Sequence, residues 1–194
     1  MPDKAAAAES EINGSLVPMQ KVQAVLMLEA GHLYMDMGKF DVAREVLMGC
    51  STLMPKSEVP QLALGTLEFV QGKHEKALQA YRQAQRLAPK SGLPHAHCGE
   101  ALLFMGKLNE AMKELKTSVQ LEPDGDGAKL AAGLGNLIGG LLVNLNKGEP
   151  ISPELQKLNA ALKKVKDAGK KPLDTLIEDI NVLTGQSEPP LKKK

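Results

Sequence analysis

The chain of 194 residues lacks tryptophan, and aromatic residues make up only 3% of it. This scarcity argues against a β-sandwich built on large aromatic pairs and fits helices packed through leucine, alanine and methionine. Cysteine is also scarce, with only Cys50 and Cys98. The formal net charge of +1 has no excess of one sign, so nothing in the overall charge points to nucleic acid or an anionic membrane as a partner.

The first residues, Met1–Asn13, are polar and alanine-rich, without the basic start and apolar run of an export signal. We therefore expect a cytoplasmic protein. In a reducing compartment the two cysteines are expected to be free packing residues rather than a disulfide.

One short segment occurs three times. Gly38–Ala43 recurs as Gly72–Ala77 and Gly106–Ala111, 34 residues apart each time, and a proline follows each copy, at Pro55, Pro89 and Pro123. A period of this length is typical of helix-turn-helix repeats that stack into a solenoid. In each copy the glycine marks a turn between two helices and the proline ends the second helix, which in the middle copy is predicted over 74–87. Ser57 and Ser91 are predicted to cap the first helices of the second and third copies.

The spacing of small and large residues resembles the tetratricopeptide repeat (TPR) family. The matching positions in the three copies are Ala30, Gly31, Tyr34, Ala43, Leu47, Cys50 and Pro55; Leu64, Gly65, Gly72, Ala77, Tyr81, Ala84 and Pro89; and Cys98, Gly99, Gly106, Ala111, Leu115, Ser118 and Pro123. The family's early tryptophan is missing from every copy, and Glu68 and Leu102 stand where tyrosine is usual. The resemblance implies an all-α fold, a TPR α-solenoid of three helix-turn-helix repeats, followed here by a capping helix and a C-terminal helical hairpin.

The expected boundaries follow from this period and from the glycine and proline breaks. They are 1–16 for a disordered or frayed arm; 17–145 for the TPR domain, with repeats at about 24–57, 58–91 and 92–125 and a capping helix at 126–145; 152–185 for the C-terminal hairpin; and 186–194 for a disordered tail. The first helix is predicted from a stripe of apolar residues: Val22, Val25, Leu26, Leu28, Leu33 and Met37.

The capping segment contains Gly133, Gly135, Gly139 and Gly140, each costing about 0.8–1 kcal/mol against alanine in a helix. It therefore needs tertiary support, and we expect it to pack on the third repeat. A membrane span is the alternative that its apolar length leaves open, but we expect no stable span.

No catalytic or metal-binding pattern stands out. His95, His97 and Cys98 are close in sequence, but the two histidines point to different sides of a helix and the four-ligand spacing of a zinc site is absent. The glycines of the capping segment follow no strand and precede no Lys-Ser/Thr pair, so they do not form a phosphate loop. The lysines around Lys163 are typical of a solvated helix face. We expect no enzyme activity, no cofactor, no metal and no nucleic-acid binding.

In the family, the first helix of each repeat lines the concave groove in which partners bind. The resemblance carried over to this chain gives a partner-binding groove of Leu28, His32, Met35, Leu62, Thr66, Phe69, Ala96, Glu100, Leu103, Phe104, Leu134 and Ile138. Leu62, Phe69, Leu103 and Phe104 are the expected anchors.

Most of these groove residues are apolar. Family members that bind a C-terminal carboxylate use lysine, arginine and asparagine, whereas the corresponding residues here are Leu28, His32, Ala63, Leu93 and His97. An apolar groove of this kind suits an apolar peptide or helix.

The small TPR chaperones of bacterial type III secretion resemble the chain in size, repeat number and groove polarity. The expected function is therefore protein–protein interaction with an apolar client, as a cytoplasmic secretion chaperone. A structural adaptor joining folded partners is the alternative. Two points stay open: a homodimer, and a groove covered in part by the chain's own N-terminal arm or C-terminal hairpin.

Overall fold

The computed structural model describes residues 21–147 and 150–186. The predicted N-terminal arm (1–16) and all but the first residue of the predicted tail (186–194) lie outside this part of the chain. The described residues contain no strand and form these helices: α1 (Lys21–Asp36), α2 (Phe40–Leu53), α3 (Val59–Val70), α4 (His74–Leu87), α5 (Leu93–Phe104), α6 (Leu108–Leu121), α7 (Asp126–Lys147), a 3₁₀ turn (Pro153–Leu155), α8 (Gln156–Asp167) and α9 (Lys170–Thr184). The predicted all-α repeat fold is confirmed.

The chain divides between Pro89 and Lys90 into two compact units. The first unit holds two helix pairs, α1–α2 and α3–α4, which are the first two repeats. The turns between the paired helices need glycine, because Gly38 and Gly72 both have a φ of +71°. The repeated Gly-Lys segment is thus the turn of each pair.

In the first unit, a glycine in the first helix of each pair faces a large side chain in the second helix. A Cβ added to Gly31 would lie 2.6 Å from Leu47 Cδ2, and a Cβ on Gly65 would overlap the Tyr81 ring. Leu47 and Tyr81 are almost completely buried. The glycines therefore bring the paired helices close enough to enclose one large side chain per repeat.

The second unit begins with the third repeat, α5–α6, which is built the same way. An added Cβ on Gly99 would lie 2.6 Å from Leu115 Cδ2. Helix α7 then packs on both α5 and α6, and it buries Leu134, Ile138 and Leu141. This is the tertiary support that its glycines require.

The C-terminal hairpin, α8–α9, also packs on this unit. Gly135 of α7 admits α9, because an added Cβ would lie 3.1 Å from Thr184 Cγ2 and 3.3 Å from Leu183 Cβ. The third turn glycine, Gly106, is covered by α8, and an added Cβ would lie 3.0 Å from the Lys157 carbonyl oxygen. By contrast, no atom of the residues that the structure describes lies within 4 Å of a Cβ built on Gly38.

The structure adds to two details of the sequence analysis. The apolar stripe correctly predicts the helix α1, but it is not the buried face of that helix: of its six residues only Leu28 is half-buried, and Val22, Val25, Leu26, Leu33 and Met37 are exposed. Helix α1 instead packs through Ala24, Gly31 and their neighbours. The residues directly before α3 and α5 are Glu58 and Gly92, one position after the predicted caps. Ser57 Oγ still accepts a hydrogen bond from the Val59 N–H at 3.3 Å, as a capping residue does. The Ser91 hydroxyl instead donates to Glu122 Oε2 at 3.5 Å, so Ser91 does not cap α5.

Helix α7 is the one helix of the described chain long and apolar enough, over Asp126–Leu145, to cross a membrane. Length and composition alone are weak evidence, because the core helix of a soluble protein passes the same test. Of this stretch, 44% is buried inside the protein, and the helix contacts α5, α6 and α9. Helix α7 is therefore partly buried by the other helices of its own unit.

We expect Gly65→Ala to lower the free energy of unfolding by about 1–3 kcal/mol, because the added methyl group meets the buried Tyr81 ring. Gly133→Ala is the matched control: Gly133 is exposed, is also inside a helix and has nothing within 4 Å of its added Cβ. That variant should gain up to about 1 kcal/mol from helix propensity. Urea denaturation followed by circular dichroism measures both, and equal shifts would contradict the close packing in the repeat.

We expect neither cysteine to react with Ellman's reagent in the native protein. Cys50 and Cys98 form no disulfide and are fully buried, and burial raises the pKa of the Cys50 thiol, which lowers its thiolate fraction. In guanidinium chloride both thiols should react at once. The absorbance of the released thionitrobenzoate gives the number of reactive thiols, and rapid reaction of the native protein would show that these helices open readily.

Candidate functional site

The first unit carries half of the predicted groove. Its six residues, which we call the α1/α3 face, are all half-buried: Leu28, His32, Met35, Leu62, Thr66 and Phe69. Helices α1 and α3 are the first helices of the two repeats and contact each other directly. The fold therefore presents these six predicted residues on two neighbouring helices, each side chain keeping part of its surface open.

Several of these side chains also hold the unit together. Leu28 contacts both apolar core clusters of the unit, and Met35 contacts the cluster around Leu47. The Thr66 hydroxyl donates a hydrogen bond to the Leu62 carbonyl oxygen at 3.1 Å, so it is already satisfied within its own helix.

Phe69 stands near the C-terminal end of α3. Its ring lies against the His74 ring, with centroids 5.0 Å apart and the planes inclined at 60°. This contact orients the phenyl group while leaving it half-buried. Together with Leu62 it is a side chain of the α1/α3 face with apolar surface left to bury.

The second unit places the other six residues differently. Ala96, Leu103, Leu134 and Ile138 are buried in its core, whereas Glu100 and Phe104 are half-buried. Helix α5 is covered by α6 and α7, and this packing encloses the first four side chains. Glu100 is not a free carboxylate, because its Oε2 lies 3.0 Å from His97 Nδ1.

The twelve predicted groove residues do not include the most exposed apolar surface of the first unit. Five large side chains of α1 face away from the core, and we call them the α1 stripe: Val22, Val25, Leu26, Leu33 and Met37. Their exposed fractions lie between 53% and 66%. The TPR motif contained the information needed to predict this exposure. Gly31 marks the side of α1 that packs against α2, so the residues of the α1 stripe lie on other sides of the helix.

The positions that hold a carboxylate in other family members offer no cation here. Ala63 is buried, Leu28 and His32 are half-buried on the α1/α3 face, and His97 is engaged with Glu100. In addition, the described residues contain no group of three His, Cys, Asp or Glu side chains placed to hold a metal ion. Most side chains of the α1/α3 face are apolar and offer contact surface.

Family comparisons agree with this architecture. Two tetratricopeptide repeat profiles match residues 24–56 and 69–136, which together are more than half of the chain. The chain belongs to the tetratricopeptide repeat family. No curated protein sequence matches it.

Solved TPR structures resemble the chain in fold. PcrH, in complex with the chaperone binding region of PopB, has 22% identity and a TM-score of 0.54, over 61% of this chain and 97% of that one. The type III secretion translocator chaperone SycD of Yersinia enterocolitica, in an alternative dimer, has 19% identity and a TM-score of 0.53, over 75% of this chain and 96% of that one. The Sgt2 TPR domain from Aspergillus fumigatus has 14% identity and a TM-score of 0.51, over 88% of this chain and 87% of that one. At these identities the likeness shows the fold alone.

Glu68 of α3 is one of the residues at which this TPR chain departs from the motif, and it contributes to the contact between the first two repeats. It is 7% exposed, and its Oε1 accepts a hydrogen bond from the Arg44 guanidinium of α2. The pair joins the second helix of repeat one to the first helix of repeat two. Glu68, which stands where tyrosine is usual, therefore has a structural role in the contact between the two repeats.

We expect Glu68→Leu to lower the free energy of unfolding by about 1–3 kcal/mol, because it leaves Arg44 without its buried carboxylate. The double variant Arg44→Leu/Glu68→Leu should cost less than the sum of the two single variants, since neither charge then remains unpaired. A double-mutant cycle measured by urea denaturation tests this. Strictly additive losses would mean that the pair contributes no coupling.

Proposed function

We propose that this TPR protein binds an apolar peptide or helix of a partner protein on the α1/α3 face. The observation that carries this proposal is the incomplete burial of Leu62 and Phe69 beside Leu28 and Met35, on a face that offers no cation for a carboxylate. Apolar surface of this kind marks sites of protein contact. Met35 adds an unbranched, flexible side chain that adapts to different partners.

The energetics suit a client held by a few anchors. If a partner covers roughly 100 Å² on each of Leu62 and Phe69, each contributes roughly 2.5 kcal/mol at about 25 cal/mol per Å². Ordering the client and immobilising it offset much of this gain. The expected affinity is therefore moderate, which suits a complex that must later release its client.

The finer proposal is a cytoplasmic secretion chaperone that keeps an apolar client soluble before export. It is supported by the fold likeness to PcrH and SycD, of which the first is in complex with the chaperone binding region of PopB. The α1 stripe gives the first unit further apolar surface for a client or for a second copy of the chain. Burial in a homodimer would make the α1 stripe unavailable to clients. The oligomeric state of the protein therefore has to be determined together with client binding.

The alternative is a structural TPR adaptor joining folded partners. It is favoured by a second surface, on the hairpin, that is basic rather than apolar. Between Gln156 and Pro172 the only acidic residue is Asp167, whereas there are six lysines: Lys157, Lys163, Lys164, Lys166, Lys170 and Lys171. Co-purification with mass spectrometry separates the two functions. A chaperone is recovered with an unfolded or membrane-active client, and an adaptor with soluble folded partners.

We expect Phe69→Glu to weaken binding of a fluorescein-labelled amphipathic peptide, rich in leucine and alanine, by about tenfold or more, because a carboxylate would be buried against its apolar side. Fluorescence anisotropy measures the affinity. The same peptide with a free or an amidated C terminus should bind equally, since the face offers no carboxylate site.

Met48→Glu is the matched control for this variant. Met48 is an exposed apolar residue of the same unit, on α2 and outside the α1/α3 face. It should leave both helicity and peptide affinity unchanged. Equal losses in the two variants, or no loss in Phe69→Glu, would contradict binding on the α1/α3 face.

A further inference from the structure

The second unit contains a groove that the proposed function does not use. It lies between α6 and the α8–α9 hairpin, and its volume is about 540 Å³. Its apolar floor is formed by side chains of all three helices, among them Met112 of α6, Val165 of α8 and Leu176 of α9. A volume of this size is within the range of sites that hold small ligands or the anchoring side chains of a peptide.

The walls of this groove are fixed by the packing of the hairpin. Lys116 Nζ of α6 donates a hydrogen bond to Asp179 Oδ1 of α9 at 2.7 Å, which ties the two walls together. Leu158 and Leu162 of α8 are completely buried. The groove is thus built from helices held in place, rather than from loops.

The rim of the groove is basic. Lys113 of α6 and Lys164 of α8 both line it, both are exposed, and neither makes an ion pair within the described part of the chain. Lys116 is already paired with Asp179, so the two other lysines are the cations left for a ligand. They stand on opposite walls, with the apolar floor between the helices that carry them.

The groove also continues along α6. A second depression of about 290 Å³ shares Leu108 and Lys164 with the first and extends to Lys107 and the α6 N terminus. Glu110 is the one acidic residue among its lining side chains. An elongated ligand therefore fits this surface better than a compact one.

We propose that the groove between α6 and the hairpin docks an acidic amphipathic segment of a partner protein. Its apolar side chains would cover Met112, Val165 and Leu176, and its carboxylates would pair with Lys113 and Lys164. An apolar centre with a charged rim is the usual construction of a protein-binding surface, and the charge complementarity selects an acidic partner. The site lies on the second helix of the third repeat and on the hairpin, so it is separate from the α1/α3 face and does not depend on it.

The test uses a fluorescein-labelled amphipathic peptide, with leucines along one side of its helix and glutamates along the other. Fluorescence anisotropy measures its binding to the full chain. A peptide with lysine in place of every glutamate is the charge-reversed control and should not bind. The double variant Lys113→Glu/Lys164→Glu should weaken binding of the acidic peptide by about tenfold or more. Val165→Ser should weaken it about threefold or more, since it removes apolar contact from the floor.

Lys163→Glu is the matched control, because Lys163 is an exposed neighbour of Lys164 on the same helix and does not line the groove. It changes the net charge as Lys164→Glu does, but it should alter the affinity less than about twofold. Lys164→Arg should retain binding. Circular dichroism confirms that each variant is folded.

Three outcomes would overturn the proposal: no binding of the acidic peptide, equal losses in Lys163→Glu and Lys164→Glu, or a Val165→Ser variant that binds as well as the original chain. Two further probes test other ligand classes, laurate for a fatty acid and vesicles of phosphatidylserine and phosphatidylcholine for a membrane. Tighter, Lys164-dependent binding of either probe than of the peptide would also overturn it. Phe69 lies in the other unit, so Phe69→Glu should leave binding of the acidic peptide unchanged. A failure of the acidic-segment proposal is therefore distinguishable from a failure of the proposed function.

Discussion

Each repeat depends on one large side chain that fits against a glycine on the facing helix. Gly31, Gly65 and Gly99 receive Leu47, Tyr81 and Leu115, respectively. Without a Cβ at these glycines the two helices approach closely and bury the partner side chain almost completely. This packing sets which side of each helix points inward, and it thereby decides which residues are left on the surface for partners.

The third repeat has a further role because the C-terminal helices pack on it. Its turn glycine, Gly106, is covered by α8, while Gly38 in the first repeat is open. Helix α7 covers α5 and α6, and Gly135 then lets α9 approach α7. As a result, repeats that are alike in sequence offer different surfaces: in the third repeat Ala96 and Leu103 belong to the core, and the basic groove forms on the second helix.

The two candidate surfaces differ in chemistry, and the difference has a physical basis. The α1/α3 face combines half-buried apolar side chains with no free cation at the positions that would hold a carboxylate. The groove beside the hairpin combines an apolar floor with Lys113 and Lys164. The proposed apolar client and the proposed acidic segment would therefore bind to different surfaces.

The sequence by itself determined the period, the helix pairs and the family, because glycine, alanine and proline have fixed conformational and steric roles at their motif positions. The sequence also predicted the bounds of α4, His74–Leu87, and it indicated that the glycine-rich helix α7 needs packing against other helices. Only the tertiary structure decided which apolar residues are core. The α1 stripe is periodic like a buried face yet is exposed, whereas Leu134 and Ile138 are enclosed by other helices of their unit. Periodicity records that a helix has an apolar side, but burial depends on which distant segment packs against it.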